Sequence, residues 1–450
     1  LHAETNREPS LFIAVPAAAT IATADLQVGM FIHLDLGWMS HPFALSSFRI
    51  ADAGQIATIR SLGLARVRWS PEQSDAALQP GVDAGPDSGA VAADAPARVP
   101  TAGPAQALSD PGVPDAVAAR DTAARLVERQ YAEAARDWRT ATDALQRDAR
   151  EAGRRYAALS QALVDKMLAA RELSIRAVSA VATEDACHAL NVSVLALLMG
   201  RSCGLTESEM ADLGTGSMAH DIGKIELPPH LHQADAHFNA NEMARWRDHV
   251  ARGVAIGQRM GLAPGALLVI GQHHEHMDGS GFPQGLDGHR LSVPARLAAL
   301  VNRYDNLCHP GKRTLPMTPH EAVAWLYAQG QRQHDPTLLN AFVRMMGVYP
   351  PGSVVQLTDD RYAVVESVSA SRPLKPAVQV HDPRPGTDAP LQLIDLAQQR
   401  TLGIRRALPA AQLPSAARAH LMPPRRAAWF FEANDDDATG AAQAAWQGGA

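Results

Sequence analysis

Cysteine is scarce: there are three in 450 residues, Cys187, Cys203 and Cys308, and none has CxxC spacing. An odd, scattered set argues against a disulfide framework and fits a reducing, cytoplasmic setting. Cys187 reads as a small buried thiol on a helix. Long apolar runs are also missing. The longest, Val192–Gly200 and Leu11–Ala22, fall short of the roughly 20 residues that span a bilayer, so no membrane span is expected. Leu11–Ala22 lacks a basic start, because Arg7 is balanced by Glu4 and Glu8. Residues 1–24 are therefore expected to be a poorly ordered leader, not a signal peptide. Nor is there an excess of positive charge. The formal net charge is -6, so general attraction to a nucleic-acid polymer is not expected. Apolar residues make up 46% of the chain, enough for a substantial core and for two or three domains.

The texture changes several times along the chain. Residues 25–72 suggest a small α/β module with a sensor-like role. Val28–Leu34, Ser47–Ile50 and Ala65–Trp69 are strand-like, and Asp52 caps a short helix carrying Ile56, Ile59 and Leu62. Trp38, His41, Pro42 and Phe43 form an aromatic-polar loop between strands. Residues 73–120, rich in Ala, Pro, Asp and Gly, read as a disordered linker. Residues 121–181 read as a long connecting helix. Apolar and small residues from Tyr131 to Leu163 step by three and four there, a weak heptad seam. The seam fits a helix pair packed on itself or across a homodimer, or a plain amphipathic helix. Residues 182–346 carry repeated helical periods and read as an α-bundle. Thr206 and Glu209 form a capping box in it. Residues 347–400 switch to strand character, a small β-rich appendage. Residues 401–450 read as a disordered tail.

The chemistry sits in the bundle. His220 and Asp221 are adjacent and are followed by Gly223 and Lys224. Glu184 and His188 lie four apart and so project from one helix face. His249, and the pair His273 and His274, follow on further helices. Adjacent residues on a helix diverge by about 100°, which suits one ligand and one bridge in a dinuclear centre. Together these residues would wrap two or three divalent ions. A His-heavy donor set favours iron or manganese, with nickel or zinc also open, over magnesium, which prefers oxygen. Such a centre supplies hydroxide at neutral pH and holds the oxygens of an in-line displacement at phosphorus. Lys224 would offset phosphoryl charge. The residues alone point to a metal-dependent phosphohydrolase.

Three stretches in this order resemble the HD superfamily, and more narrowly its HD-GYP branch: His220 to Ile225, His273 to Pro283, and Pro294-Ala295-Arg296 through Leu307. Residues 25–72 also resemble the small accessory domain often found ahead of HD-GYP domains. The resemblance implies a mainly α fold: an HD-type helical bundle with a small N-terminal α/β domain and a small C-terminal β appendage. It implies hydrolysis of cyclic di-GMP to pGpG or GMP in bacterial signalling. It makes Glu184, His188, His220, Asp221, His249, His273 and His274 ligands and Lys224 the phosphate-side lysine. Glu184 would support a third metal.

There are three departures from the family pattern. Phe282 replaces the signature tyrosine, giving Gly281-Phe282-Pro283 as the substrate loop. Asn302 stands where the family has an aspartate ligand, and Asp305 three residues on is a reserve. The usual basic segment becomes His309 to Thr314, leaving Lys312 and Arg313 to face the phosphates. These departures keep two alternatives in view. One is an HD-GYP signalling module that binds cyclic di-GMP or a partner such as a diguanylate cyclase without turnover. The other is an HD-type nucleotidase.

Overall fold

The computed structural model describes residues 19–37, 40–43, 45–75, 113–179, 182–381, 391–421 and 427–434. The chain divides into two compact units, one formed by the N-terminal residues to Ser109 without 42–44, the other by 42–44 and everything from Asp110 on.

The first unit contains a four-stranded antiparallel sheet made of β1 (Thr20–Ala22), β2 (Phe31–His33), β3 (Ser47–Arg49) and β4 (Arg66–Ser70), in the order β1-β4-β2-β3. Between β3 and β4 lies α1 (Ala53–Ser61), capped by Asp52, whose carboxylate accepts from Gln55 N. Ile32, Ile50 and Ile59 form the centre of its core. The expected leader is corrected in part, since Thr20–Ala22 is paired strand, Ile21 opposite Val67; residues 1–18 lie outside the described residues, as does Trp38 of the aromatic loop.

The second unit opens with a helical hairpin. α2 (Val113–Ala144) and α3 (Ala149–Ala169) are separated by a turn at which Asp148 caps α3. They pack on each other through Trp138 against Tyr156, and Thr142 Oγ1 lies 2.8 Å from Tyr156 Oη. The single long helix expected over 121–181 is therefore two helices followed by a strand, β5 (Glu172–Ser179). The seam residues Tyr131, Ala135, Tyr156, Leu159 and Leu163 are buried within one chain, which removes the observation that suggested a homodimer. The hairpin also shortens the expected linker, since α2 begins at Val113; residues 76–112 lie outside the described residues.

α4 (Glu184–Ser202) forms the axis of the bundle, apolar nearly all round and buried from Ala189 to Gly200. α5 (Glu207–Ala219) packs on it behind the Thr206–Glu209 capping box. Around them stand α6 (Ala240–Arg247), α7 (His249–Met260), α8 (Pro264–Gln272), α9 (Val293–Cys308), α10 (Pro319–Gln329) and α11 (Pro336–Met346). α3 packs against α5 and α7, so the bundle begins earlier in the chain than residue 182.

The C-terminal β region is larger than the expected appendage. β6 (Val354–Leu357), β7 (Tyr362–Ser369), β8 (Ala377–Val380), β9 (Gln392–Asp395) and β10 (Ile404–Ala407) join β5 and β11 (Ala427–Asn434) in one antiparallel sheet. Long β7 organises it. β8 runs along one edge, while β6 and β5 share the other end to end. Val355, Val365, Val378 and Val380 fill the sheet's core, and Leu408, Leu413 and Leu421 around α12 (Ser415–Leu421) form a second cluster. The disordered tail expected over 401–450 is thus corrected: β10, α12 and β11 are ordered, and β11 pairs with β5 along its whole length. Residues 435–450 lie outside the described residues.

Candidate metal centre

Four helices deliver the site. α4 is capped by Thr183, and its second turn carries His188. α5 ends at Ala219, and the chain passes directly into a tight turn over Ile222–Glu226, leaving His220 and Asp221 at the break. His249 opens α7, and His273 and His274 close α8. Gly223 permits this junction by close approach, not by a special φ. A Cβ there would lie 1.9 Å from the carbonyl oxygen of His249 and 2.5 Å from Gly253 N.

Asp221 stands at the centre, with its two oxygens facing different histidines. Oδ2 lies 3.4 Å from both His188 Nε2 and His220 Nε2; Oδ1 lies 3.4 Å from His249 Nε2 and 3.9 Å from His273 Nε2. His274 completes the second group, within which all ligand atoms fall inside 4.8 Å of one another. Lys224 Nζ donates to Asp221 Oδ2 at 2.5 Å.

The outer ring nitrogens are committed. Nδ1–H of His220 donates to Ser217 O at 2.6 Å, that of His249 to Trp246 O at 2.7 Å and that of His273 to Ile270 O at 2.7 Å. His188 Nδ1 donates to Asp305 Oδ2 at 2.6 Å. Such bonds fix the tautomer and turn each Nε2 lone pair inward. Yet His188 Nε2 and His220 Nε2 are 3.0 Å apart, and His249 Nε2 and His273 Nε2 3.3 Å. Neutral His249 and His273 would then meet lone pair to lone pair, so their contact calls for a cation between them, while His188 and His220 face each other across either a proton or a metal. Two donors at about 2.0–2.1 Å from one metal, at tetrahedral or right angles, stand roughly 3–3.4 Å apart. Asp221 Oδ1 is buried without a hydrogen-bond partner. The donor set fits divalent metal ions, which His188, His220, Asp221, His249, His273 and His274 would hold.

The side chains also set the proton balance. Burial works against charge on His188, but hydrogen bonds with Asp221 and Asp305 raise it to about 9. Burial lowers His249 to about 4 and holds His273 and His274 well below the usual imidazole range. Burial would raise Asp221, yet Lys224 and His220 hold it well below the usual carboxylate range. His249, His273 and His274, neutral beside ionised Asp221, are in the forms that bind metal, whereas His188 must give up a proton to do so.

Beside the centre rises an aromatic wall. The Phe282 ring stacks on His274 at 4.4 Å, Trp246 lies 5.5 Å from His274 and 5.9 Å from Phe282, and the Arg247 guanidinium sits 4.9 Å above Phe282. Gly281 presses against the backbone of residues 274–276, where a Cβ would come within 2.4 Å of Glu275 Cα. Gly279 and Gly285 take positive φ. Buried Glu275 ties the loop down, accepting from Gln284 N at 2.7 Å and Leu286 N at 2.9 Å.

Other expected site residues are placed differently. The Glu184 carboxylate is exposed and accepts from Gln233 Nε2; it is not among the converging ligand atoms. Asn302 is buried, and its Oδ1 accepts from Asn306 Nδ2 at 2.7 Å. Lys312 and Arg313 are exposed, with Arg313 turned to Asp235 at 3.5 Å. Asp305, the reserve ligand, instead supports the site. It is fully buried and accepts from His188, from Asn191 Nδ2 at 2.7 Å and from His309 Nδ1 at 3.0 Å. His309 and His334 read from sequence as ordinary loop or solvent residues. The first braces Asp305 and the second is buried.

Residues 158–338 match the HD domain family, and residues 19–178 match a domain of unknown function, DUF3391. The chain is similar to Cyclic di-GMP phosphodiesterase PA4108 of Pseudomonas aeruginosa, 27% identical over 215 residues, which is 47% of this chain and 51% of that protein. It is 31% identical over 156 residues to the Cyclic di-GMP phosphodiesterase response regulator RpfG of Xanthomonas campestris pv. campestris, covering 34% of this chain and 41% of that one. It is 30% identical over 165 residues to 3'3'-cGAMP-specific phosphodiesterase 2 of Vibrio cholerae, covering 36% and 32%. The chain thus spans about half or less of the length of these relatives. Among the described residues no helix is long and apolar enough to cross a membrane. The His/Asp cluster falls wholly inside the residues that match the HD domain family, and the DUF3391 match covers the residues from 19 to the start of that bundle.

Proposed function

We propose that this chain is a metal-dependent phosphodiesterase that hydrolyses a 3'-5' bond of cyclic di-GMP, giving pGpG or GMP, in the cytoplasm. The observation that carries the reading is Asp221, whose two oxygens each face histidine nitrogens at ligand spacing. The names of the similar proteins supply the substrate class. Divalent ions held there, iron or manganese by the donor chemistry, would lower the pKa of water to about 7 and so provide a hydroxide nucleophile.

The chain's own side chains do the rest. Lys224 keeps a cation beside Asp221 to offset phosphoryl charge. The ring of Phe282 is the family's tyrosine ring without its hydroxyl; it has His274 on one face and the Arg247 guanidinium over it, and a base stacking there would displace Arg247. Arg247 above Phe282 is placed for a guanine edge. Glu275 holds the loop shut against the site. A third ion would draw Glu184 away from Gln233. One observation favours a second reading, a module that binds without turnover: Asn302 brings no charge and gives its oxygen to Asn306.

Protein loaded with manganese or iron is incubated with cyclic di-GMP, 3'3'-cGAMP and a nucleoside triphosphate, and products are separated by chromatography. Turnover of cyclic di-GMP, lost in His220→Ala and Asp221→Ala, supports the proposal. Tight binding without turnover in any metal form selects the signalling module, and cleavage of the triphosphate alone selects a nucleotidase.

A further inference from the structure

Strand β11 lies far outside the HD match, which ends at residue 338, yet its backbone reaches the metal centre. Trp429 N–H donates to Asn191 Oδ1 at 3.0 Å, Asn191 Nδ2 donates to Asp305 Oδ1 at 2.7 Å, and His188 Nδ1 donates to Asp305 Oδ2 at 2.6 Å. These three bonds form one unbroken path from the strand to a ring that faces the metals. Asn191 is fully buried on α4, three residues beyond His188. A backbone N–H only donates, so it selects the carbonyl end of the Asn191 amide and turns the NH₂ toward Asp305.

A second path runs beside the first. The Trp429 ring lies 5.1 Å from Tyr304 and 5.3 Å from His309, whose Nδ1 donates to Asp305 Oδ1 at 3.0 Å. The indole is itself pinned, with Nε1 donating to Pro351 O at 3.0 Å. The strand is fixed along its length by β5, and Arg176 on β5 pairs with Glu432 at 2.7 Å.

We infer that β11 positions the His188 half of the metal centre, with Asn191 and Trp429 as positioning residues. The inference rests on the metal-centre reading above. Asp305 aims the His188 ring, and Asn191 and His309 aim Asp305. With the Asn191 amide gone, the buried carboxylate loses a fixed donor and rotates, and His188 Nε2 leaves its place 3.0 Å from His220 Nε2. His249 and His273 take their outer bonds from Trp246 and Ile270, so their half of the centre is not touched by this path.

The test uses the full chain, stripped of metal and titrated with Mn²⁺, with free ion read by electron paramagnetic resonance. Wild type should bind two ions. Asn191→Leu should weaken one of them by about 10–100-fold, the usual effect of losing a support behind a metal ligand, and leave the other intact. Trp429→Phe keeps an aromatic ring but loses the indole donor, and should weaken the same ion less. Trp429→Phe leaves the backbone N–H to Asn191 in place and acts on the second path, through the ring beside Tyr304 and His309, so the double variant should be at least as weak as Asn191→Leu alone. Asn191→Leu binding both ions like wild type would overturn the inference; so would equal loss of both ions, and Trp429→Phe binding both ions like wild type would remove the strand from it. If Asn191→Leu does not unfold cooperatively, Trp429→Phe decides alone, with a weakened single ion for the inference and unchanged binding against it. Wild type binding no Mn²⁺ would instead remove the metal-centre reading.

Discussion

Loading the stripped protein with metal should release about one side-chain proton per chain at pH 7, all of it from one half of the centre and in addition to what metal-bound water gives up. His188 is raised to about 9 and His249 lowered to about 4, while His273 and His274 lie lower still. At pH 7 a ring at about 9 is roughly 99% protonated and a ring at about 4 roughly 0.1%. An ion entering between His188 and His220 must displace that proton, whereas an ion entering between His249 and His273 displaces none. The competition weakens the first ion by on the order of 100-fold at pH 7, or about 3 kcal/mol, and by a further factor of about ten for each pH unit below that. Above about pH 9 the penalty disappears. Calorimetric titration of Mn²⁺ in two buffers of different ionisation enthalpy counts the protons directly. Two binding events are expected, the weaker releasing about one proton more than the tighter. Equal release with the two ions would refute the reasoning.

Three further predictions follow from the same geometry. Gly223→Ala puts a methyl group against the His249 carbonyl and should cost about 1–3 kcal/mol as overpacking, read by denaturant unfolding, with weakened metal binding on the His249 side; unchanged stability contradicts it. Phe282→Ala should raise KM for a cyclic dinucleotide by removing the stacking face, while Phe282→Tyr keeps KM within a few-fold; steady-state kinetics separate these, and equal effects of the two would contradict the wall. The stripped protein should lose stability as pH falls from about 6.5 towards 4. The unfolded chain then takes up protons that folded His249, His273 and His274 refuse, with His249 alone worth on the order of 3 kcal/mol once pH is below 4. His188 has the opposite sign: its stabilisation is complete below about 6.5 and is lost as pH rises through about 9. Urea melts across pH 4–10 test both signs.

The metal centre was legible because its ligands come in local patterns. Adjacent pairs at helix ends, His220 with Asp221 and His273 with His274, appear in any reading of helical period, whereas Glu184, four residues before His188, reads as one of the set and does not converge. Caps were equally local, and Asp52, Thr206 and Glu209 do what their spacing predicts. What was missed depends on distant partners. Asp305 meets His188 across 117 residues and Trp429 meets Asn191 across 238, and no periodicity encodes such contacts. Glu172–Ser179 was absorbed into a helix because the preceding helical pattern was strong; its strand state comes from β11 and β7 on either side. Trp429, Phe430 and Phe431 lay within a tail of low-complexity sequence that masked a fully buried strand. Gly223 was rightly singled out, but the reason is a backbone 1.9 Å from its absent Cβ, which only the fold reveals.

The central claim is that the Asp221 carboxylate joins two ions. The spin spectrum of protein carrying two Mn²⁺ per chain tests it most directly. The account predicts an exchange-coupled dinuclear signal, since ions sharing one carboxylate in such sites lie about 3.5–4 Å apart, and its loss in Asp221→Asn. Two independent mononuclear signals, or saturation at one ion per chain, would contradict it.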